Sequence, residues 1–317
     1  HLAAFAKDVN NGIFTNYVYA KLCENVDISG MGWEPIGNSL HPFNGSFDGQ
    51  EKTISGLTNK GYSFSSQLLG WSSVAQNYGA PYGFFGVVGA LKNAENTYKE
   101  ILFKNTTFDK VNIDITDSNM LGVLIGADVA AAKIQNNKVN PEYNGNIIVE
   151  NINVNGSIKC NNGAVVGGIV GRLETLASPT IKNCINNASL NLKNEDKKDI
   201  KAGGIVGYSQ GNCKITIDNC TTNGNITVVA SGNFYIGGMI SFQGSSKYPN
   251  FINNNVVSSK IKISCNIDSI ENKRAALVYG NVINSKENQE NVKTVNTDKA
   301  SCTIDDTVIE TKYYQAK

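Results

Sequence analysis

The sequence predicts an all-β protein, a solenoid of short stacked strands. Two copies of one unit lie between residues 164 and 229: AVVGGIVG, TIKNC and NASLNLK return as IKAGGIVG, TIDNC and NGNITVV. Three landmarks keep the same offset of 36 positions, namely Gly167 to Gly203, Asn183 to Asn219 and Leu190 to Ile226. A period of about 20–50 residues is typical of solenoids, propellers and repeat arrays. The segments between turns alternate apolar and polar residues and are too interrupted by Gly and Asn for helices, so they indicate strands.

The repeat organises the whole chain as one domain. A diverged third copy runs from residue 235 to 264, and weaker units precede and follow these three. We therefore predict a single β-solenoid domain over residues 1–317, with about 30–36 residues per coil. Residues 1–60 form an N-terminal cap and first coil, residues 83–283 form the repeats, and residues 284–317 form a C-terminal cap.

The opening segment predicts a short helix. Leu2, Phe5, Ala6 and Val9 are spaced as one face of a helix, and the following Asn-Asn-Gly, residues 10–12, predicts its end. A terminal unit of a solenoid needs a cap, because its outer side has no neighbouring coil. We expect this amphipathic helix to cap the first coil.

Several ordered segments resemble the N-terminal signature and repeats of GLUG-motif proteins of bacterial cell surfaces. They are LAAFA (2–6), VNNG (9–12), VDIS (26–29), WEPIG (33–37), FNGSFDG (43–49), TISGL (53–57) and the GGIVG and IKNC units. This resemblance implies an adhesin-like, right-handed parallel β-helix or β-solenoid. It also implies export and a location at the bacterial cell surface.

Composition excludes several classes of function. The formal net charge is +1 and the pI is about 7.6, which argues against nucleic acid or an anionic membrane as a partner. No apolar run reaches the roughly 18 residues of a membrane span. Seven cysteines without a CxxC pair, together with two histidines, predict no metal site. No cofactor motif is found, and the oligomeric state stays open.

The cysteines stand at positions where other repeats carry small or apolar residues. We predict that they are buried and act as small hydrophobic side chains. A disulfide between neighbouring coils is the alternative, for which Cys184 and Cys220 have the right offset.

An asparagine recurs after the second strand of each unit. Asparagine tolerates a left-handed backbone at low cost, so we expect one stacked corner with hydrogen bonds from amide to amide. We predict a buried structural ladder, and a row of ligand-contacting amides is the alternative. Its members are Asn105, Asn151, Asn183, Asn219 and Asn254.

The glycine-rich strand has no polar face. In AVVGGIVG both alternating sets of residues are apolar or Gly, whereas a strand with one face in water shows polar residues there. We expect another segment, such as residues 58–82, to cover its outer side, or a partner to bind there.

The candidate ligand site lies in the least repetitive stretch, residues 61–82. It contains Tyr62, Trp71, Tyr78 and Tyr82, whose rings could stack on sugars, and long excursions from a rigid scaffold often form binding surfaces. Trp33 falls within the family signature and is predicted to lie in the core.

We predict a non-enzymatic surface module for adhesion or for binding of a glycan or a host surface protein. A polysaccharide lyase or glycosidase is one alternative, and it requires paired acids on adjacent coils. At one stacked position the chain instead mixes Lys182 with Glu150 and Asp218. A scaffold domain of a larger surface peptidase is the second alternative.

Overall fold

The chain is mostly β structure with parallel pairing, as the repeat predicts. The computed structural model describes residues 1–60, 80–116, 119–129, 131, 143–162, 164–174, 178–195, 198–210, 213–243, 251–265, 273–282 and 294–315. Within these ranges there is one helix, and nearly all strands pair in parallel. None of the described helical segments is long and apolar enough to cross a membrane.

The helix, α1, spans Leu2–Asn10 and has the predicted sequence signals. Ala6 and Val9 are buried, while Phe5 is partly buried against the core. The side chain of Asn10 fixes the helix end to the first repeat: its Nδ2 donates to the Pro35 oxygen (3.0 Å) and its Oδ1 accepts from the Gly37 amide (2.7 Å). The helix therefore packs at the N-terminal end of the β structure.

The strands have the following bounds. In chain order they are β1 (Val18–Lys21), β2 (Val26–Asp27), β3 (Gly45–Ser55), β4 (Pro81–Tyr82), β5 (Phe85–Val88), β6 (Ala90–Leu91), β7 (Ile101–Thr116), β8 (Asn119–Gly122), β9 (Ile125–Asp128), β10 (Tyr143–Asn144), β11 (Ile147–Asn161), β12 (Ala164–Gly167), β13 (Val170–Leu173), β14 (Thr180–Lys182), β15 (Ile185–Asn186) and β16 (Ser189–Lys193). They continue as β17 (Ile200–Gly203), β18 (Val206–Ser209), β19 (Thr216–Asp218), β20 (Thr221–Thr222), β21 (Ile226–Ala230), β22 (Phe234–Gly237), β23 (Ile240–Gln243), β24 (Phe251–Asn253), β25 (Val256–Val257), β26 (Lys260–Cys265), β27 (Lys273–Ala276), β28 (Tyr279–Val282), β29 (Ser301–Ile304), β30 (Thr307–Val308) and β31 (Tyr313–Gln315).

Three parallel sheets are built by successive repeats, each adding strands in the same order. The long sheet follows the path β1-β3-β7-β11-β16-β21-β26-β29-β30, with the shorter strands of each repeat alongside. The first glycine sheet contains β4, β8, β12, β17, β22 and β27, and the second contains β5, β9, β13, β18, β23, β28 and β31. Gly167 pairs with Gly203 and Leu190 with Ile226. The sequence offset of 36 is therefore the step between these two layers. Other steps are longer, with 46 positions from Lys104 to Glu150 and 41 from Lys260 to Ser301, so the prediction of 30–36 residues per coil is wrong for the outer layers, where longer connections separate the strands.

The glycine-rich segment is not one strand, and this corrects the sequence interpretation. It breaks after Gly167 into β12 and β13, which belong to the two different glycine sheets. A Cβ on Gly167 would collide with the Val170 carbonyl oxygen and lie 2.7 Å from the Gly207 nitrogen. The two sheets thus face each other closely, and glycine is needed for that approach. Each half of the segment covers the outer face of the other half.

The asparagine column has the predicted backbone but a different location. All five residues have φ between 51° and 56°. Asn151 Nδ2 donates to Asn105 Oδ1 (3.0 Å), and Asn219 Nδ2 donates to Asn183 Oδ1 (2.8 Å). The side chains are exposed or half-buried, so the prediction of a buried ladder is wrong. The left-handed turn points the amides outward, away from the apolar residues beside them.

The cysteines separate into two groups. All seven are free thiols, and five of them, Cys160, Cys184, Cys213, Cys220 and Cys302, are buried. Cys23 is exposed and Cys265 is half-buried, so burial is not general. Cys184 and Cys220 stack in adjacent layers, where the Cys184 amide donates to Cys220 Sγ at 3.4 Å.

Candidate functional site

Four aromatic residues were predicted to bind a ligand, and the structure describes one of them, Tyr82. Its position does not support the predicted site. Tyr62, Trp71 and Tyr78 lie outside the described residues. Tyr82 is fully buried and its hydroxyl donates to the Trp33 oxygen (3.2 Å). Its prediction as a ligand-stacking residue is wrong, because the close packing of the first layers encloses its ring. Trp33 is buried as predicted, and its ring stacks on that of Phe84 at 4.9 Å.

The outer face of the long sheet carries a column of alternating charges. One position of each layer is occupied in turn by Lys21, Asp48, Lys104, Glu150, Lys182 and Asp218. Lys104 pairs with Asp48 and Lys182 with Glu150, each at 3.3 Å. Each of these two carboxylates is neutralised by the lysine of the next layer. The column therefore has the chemistry of an ion-pair ladder.

A second ladder of amides joins neighbouring layers of the repeat. Asn187 Nδ2 donates to Asn155 Oδ1, and Asn223 Nδ2 donates to Asn187 Oδ1, each at 2.8 Å. No prediction from the sequence covers this row, although Asn187 and Asn223 keep the offset of 36. Buried polar side chains occur instead at Asn186 and Asn255, which bond to backbone groups.

Both arginines of the chain lie between the two glycine sheets. Arg172 is 4% exposed, pairs with Glu174 and donates to Gln210 Oε1 (3.1 Å). Its guanidinium lies 4.9 Å from the ring centre of Tyr208. The Arg274 guanidinium lies 5.5 Å from the ring centre of Tyr235. These contacts match cation–π geometry.

The space between the two glycine sheets changes from apolar to charged along the stack. On the N-terminal side it is apolar and is filled by Val87, Met120, Ala127 and Val165. Farther along, Lys201 Nζ lies 5.6 Å and 5.4 Å from the ring centres of Tyr208 and Tyr235. Cations and rings therefore alternate inside the protein. Because Arg172, Lys201 and both tyrosines are at most 8% exposed, this layer acts as a second core.

An apolar groove of about 670 Å³ opens at the N-terminal end of the long sheet. We call it the N-terminal groove. Its apolar walls include Leu2, Phe5, Phe14, Val18, Leu22 and Phe47, and its rim includes Lys21, Cys23 and Glu24. Helix α1 forms one side and β1 the other. The volume lies in the range of about 300–1,000 Å³ that is common for ligand sites.

Strand β1 is the end of the long sheet beside this groove. Within the described residues its one partner is β3. The Val18 amide donates to the Asn44 backbone oxygen (2.9 Å), and the Leu22 amide donates to the Asp48 backbone oxygen (3.1 Å). In a parallel strand, alternate residues turn their peptide groups to opposite sides. The N–H and C=O groups of Tyr19 and Lys21 therefore point to the open edge.

Exposed aromatic rings flank the open edge. Tyr19 is 71% exposed and Phe14 41% exposed. The Tyr19 ring lies 4.9 Å from that of Tyr17, and Lys99 Nζ lies 5.0 Å above the Tyr17 ring. Partial burial raises the pKa of Tyr17. The sequence shows the Tyr-x-Tyr alternation but not that β1 is the last described strand of the sheet, so no prediction from the sequence covers this site.

The titrating groups of the described residues favour structural roles. Burial raises the pKa of Asp48, but hydrogen bonds from the Gln50 amide, Asn105 and Lys104 outweigh it and hold that pKa below the usual carboxyl range. Burial raises the pKa of Cys184 well above its ordinary value, and that of Cys302 to about 12. Within the described part of the chain, no group of three or more His, Cys, Asp or Glu side chains could hold a metal ion.

Comparison with known proteins shows similarity of fold. No protein-family model and no curated protein matches the sequence. Among solved structures, the chain is similar to one described as a putative immunoglobulin A1 protease from Bacteroides ovatus. The TM-score is 0.59 at 18% identity, and the alignment covers 98% of this chain and 81% of that chain. At this identity the similarity shows a shared fold and carries no activity over.

Proposed function

We propose that the protein is a non-catalytic binding module of an exported bacterial surface protein. In this proposal the stacked repeats form a right-handed β-solenoid of the GLUG type. The N-terminal groove with its exposed Tyr19 and Phe14 carries the proposal. Exposed aromatic side chains beside an apolar groove on a rigid scaffold suit binding of a glycan or a protein.

The ion pairs of the described residues support a role without catalysis. Glycoside hydrolysis needs a carboxylic acid with a raised pKa beside a second carboxylate. On the long sheet, Asp48, Asp114 and Glu150 each contact a lysine of a neighbouring layer, at 3.1–3.3 Å. These carboxylates are suited to hold layers together.

A screen that records binding and product formation tests the proposal. The purified protein is applied to glycan arrays and to immobilised host surface glycoproteins, and the supernatants are analysed for new reducing ends, unsaturated sugars and peptide fragments. We expect binding without products. The Tyr19→Ala variant should bind more weakly, and Ile13→Ala, an exposed apolar residue outside the groove lining, serves as the matched control. Products that disappear in an Asp114→Asn variant would overturn the non-catalytic proposal.

A scaffold role in a larger surface peptidase is the second candidate. It is supported by the fold shared with the chain described as a putative immunoglobulin A1 protease. The two candidates differ in what the whole gene product contains. Immunoglobulin A1 cleavage by the full-length product, retained when Tyr19 is replaced but lost when this module is deleted, would favour the scaffold role.

A further inference from the structure

We propose that the N-terminal groove binds an extended polypeptide segment, which adds to β1 as a further strand of the long sheet. This inference rests on the proposed binding function and names the class of partner for this surface. Three features carry it: the open hydrogen-bonding edge of β1, the apolar groove beside it, and the continuity of both with the stacking of the repeats.

The open edge calls for a polypeptide backbone. The N–H and C=O groups of Tyr19 and Lys21 point away from β3, so the edge offers two donors and two acceptors. An added strand has the same groups at the same spacing and pairs with them directly. A glycan or an acyl chain does not present this alternating backbone pattern.

The groove supplies pockets for alternate side chains of the added strand. In every later layer, the inward side chains of one strand pack on those of the next, as Phe47 pairs in register with Phe103. Val18, Ala20 and Leu22 occupy these inward positions in β1 and line the groove. An added strand with an apolar residue at every second position would continue this packing across Phe5 and Phe14. The groove is thus a stacking surface of the long sheet that no described strand covers.

The surroundings of the groove favour a specific rather than a purely apolar contact. Lys21, Glu24 and the exposed thiol of Cys23 stand on the rim. Native sheets usually protect an exposed edge with charges or covering segments. Here the rim charges of Lys21 and Glu24 disfavour indiscriminate pairing, while the exposed ring of Tyr19 offers a contact to a strand that matches the edge.

The first experiment measures docking through Cys23. The probe is an end-blocked peptide that copies residues 146–154 of this chain, whose strand stacks in the long sheet. Because Cys23 lines the groove, bound peptide should slow its alkylation by iodoacetamide at least about fivefold at saturation. Failure to protect Cys23 at millimolar peptide would overturn the proposal.

Two N-methylated peptides test strand pairing itself. Each carries methyl groups on alternate amides, in opposite phases, so one peptide loses the N–H groups that face β1 and the other loses those that face solvent. Docking as a strand predicts that one phase abolishes protection of Cys23 and the other keeps it. Equal binding of both methylated peptides would show adsorption to an apolar surface and would overturn the proposal.

Protein variants test the same edge from the other side. Tyr19→Pro removes the outward N–H, whereas Tyr19→Ala keeps this group. The proline variant should therefore bind the peptide about tenfold more weakly than the alanine variant. Phe14→Glu should weaken binding, whereas Ile13→Glu, 64% exposed and outside the groove lining, should not. Circular dichroism and thermal unfolding establish that each variant is folded. Equal peptide affinities of Tyr19→Pro and Tyr19→Ala would refute strand addition.

Two further outcomes separate this inference from the proposed function. A concentration-dependent dimer that Phe14→Glu abolishes but Tyr19→Pro leaves intact would assign the groove to side-chain packing of a second copy and overturn strand addition. Glycan or protein binding that Tyr19→Ala and Phe14→Glu weaken, but that Tyr19→Pro weakens no further than Tyr19→Ala, would overturn this inference and leave the proposed function standing. Loss of all partner binding in the wild-type screen would remove the proposed function itself.

Discussion

Two asparagines of one repeat provide a matched test of buried and exposed amides. Asn186 is 1% exposed; its Nδ2 donates to the Gly204 oxygen (2.8 Å) and its Oδ1 accepts from the Ala188 amide (2.9 Å). Asn183 is exposed and accepts a hydrogen bond from Asn219 through its Oδ1. The same substitution, Asn to Asp, changes one amide nitrogen to oxygen at each position.

The expected magnitudes differ because the surroundings differ. In Asn186→Asp, the new oxygen faces the Gly204 carbonyl, and the lost hydrogen bond leaves a buried acceptor unpaired, at about 1–3 kcal/mol. Burial of the carboxylate raises the total to about 3–5 kcal/mol at neutral pH. In Asn183→Asp, the accepting oxygen is kept and Asp also tolerates the left-handed backbone. We expect its cost to stay within about 0.5 kcal/mol.

Urea unfolding at neutral pH, followed by circular dichroism, measures both free energies of unfolding. Burial raises the folded-state pKa of the new carboxyl at position 186 above its unfolded value, so the penalty grows as the pH rises above about 4 and shrinks below it. The Asn183→Asp variant should show no such growth. Equal losses of stability in the two variants, or a loss below about 1 kcal/mol in Asn186→Asp, would refute the reasoning.

Three further predictions concern thiols, pH and packing. N-ethylmaleimide should modify Cys23 rapidly and Cys184 only after unfolding, because Cys184 is buried and burial raises its pKa; rapid native labelling of Cys184 would contradict this. The folded pKa of Asp48 is lowered by hydrogen bonds, including one from Lys104, so its contribution to stability is present above about pH 4 and lost as the pH falls below it. The free energy of unfolding should therefore differ less between pH 7 and pH 3 in Asp48→Asn than in the wild type. Equal differences in the two proteins would count against the pairing of Asp48 with Lys104. Gly203→Ala should lower stability by about 1–3 kcal/mol or more, since a Cβ would overlap the Val206 oxygen; an unchanged melting temperature would show that the two glycine sheets can separate.

The repeat made the stacking predictable. An offset of 36 positions appears in the sequence, and Asn183 and Asn219 stand one layer apart and are joined by a hydrogen bond. Alternating apolar positions such as Leu190 and Leu192 correctly predicted inward side chains. The helix signals of residues 2–10 also sufficed. These features depend on local conformation and on regular spacing, which a sequence displays directly.

The breaks between strands and the exposure of their side chains were harder to predict from the sequence. AVVGGIVG reads as one strand because nothing in its letters marks a corner, yet contact between sheets at Gly167 and Gly207 divides it. The asparagine corner was placed correctly, but its exposure was not, because burial depends on which way the turn projects its side chains. Tyr82 likewise looked like a surface ring and lies in the core.

The sequence by itself determined the stacked parallel architecture, the spacing of the central layers and the left-handed asparagine corner, because these follow from periodicity and backbone preference. The tertiary structure alone decided which surfaces remain open. Among the described residues, β1 is the last strand of the long sheet and α1 lies beside it, which forms the N-terminal groove. The buried layer of Arg172 and Tyr208 exists because two sheets close over it. Both depend on contacts between residues far apart in the chain, which no local pattern encodes.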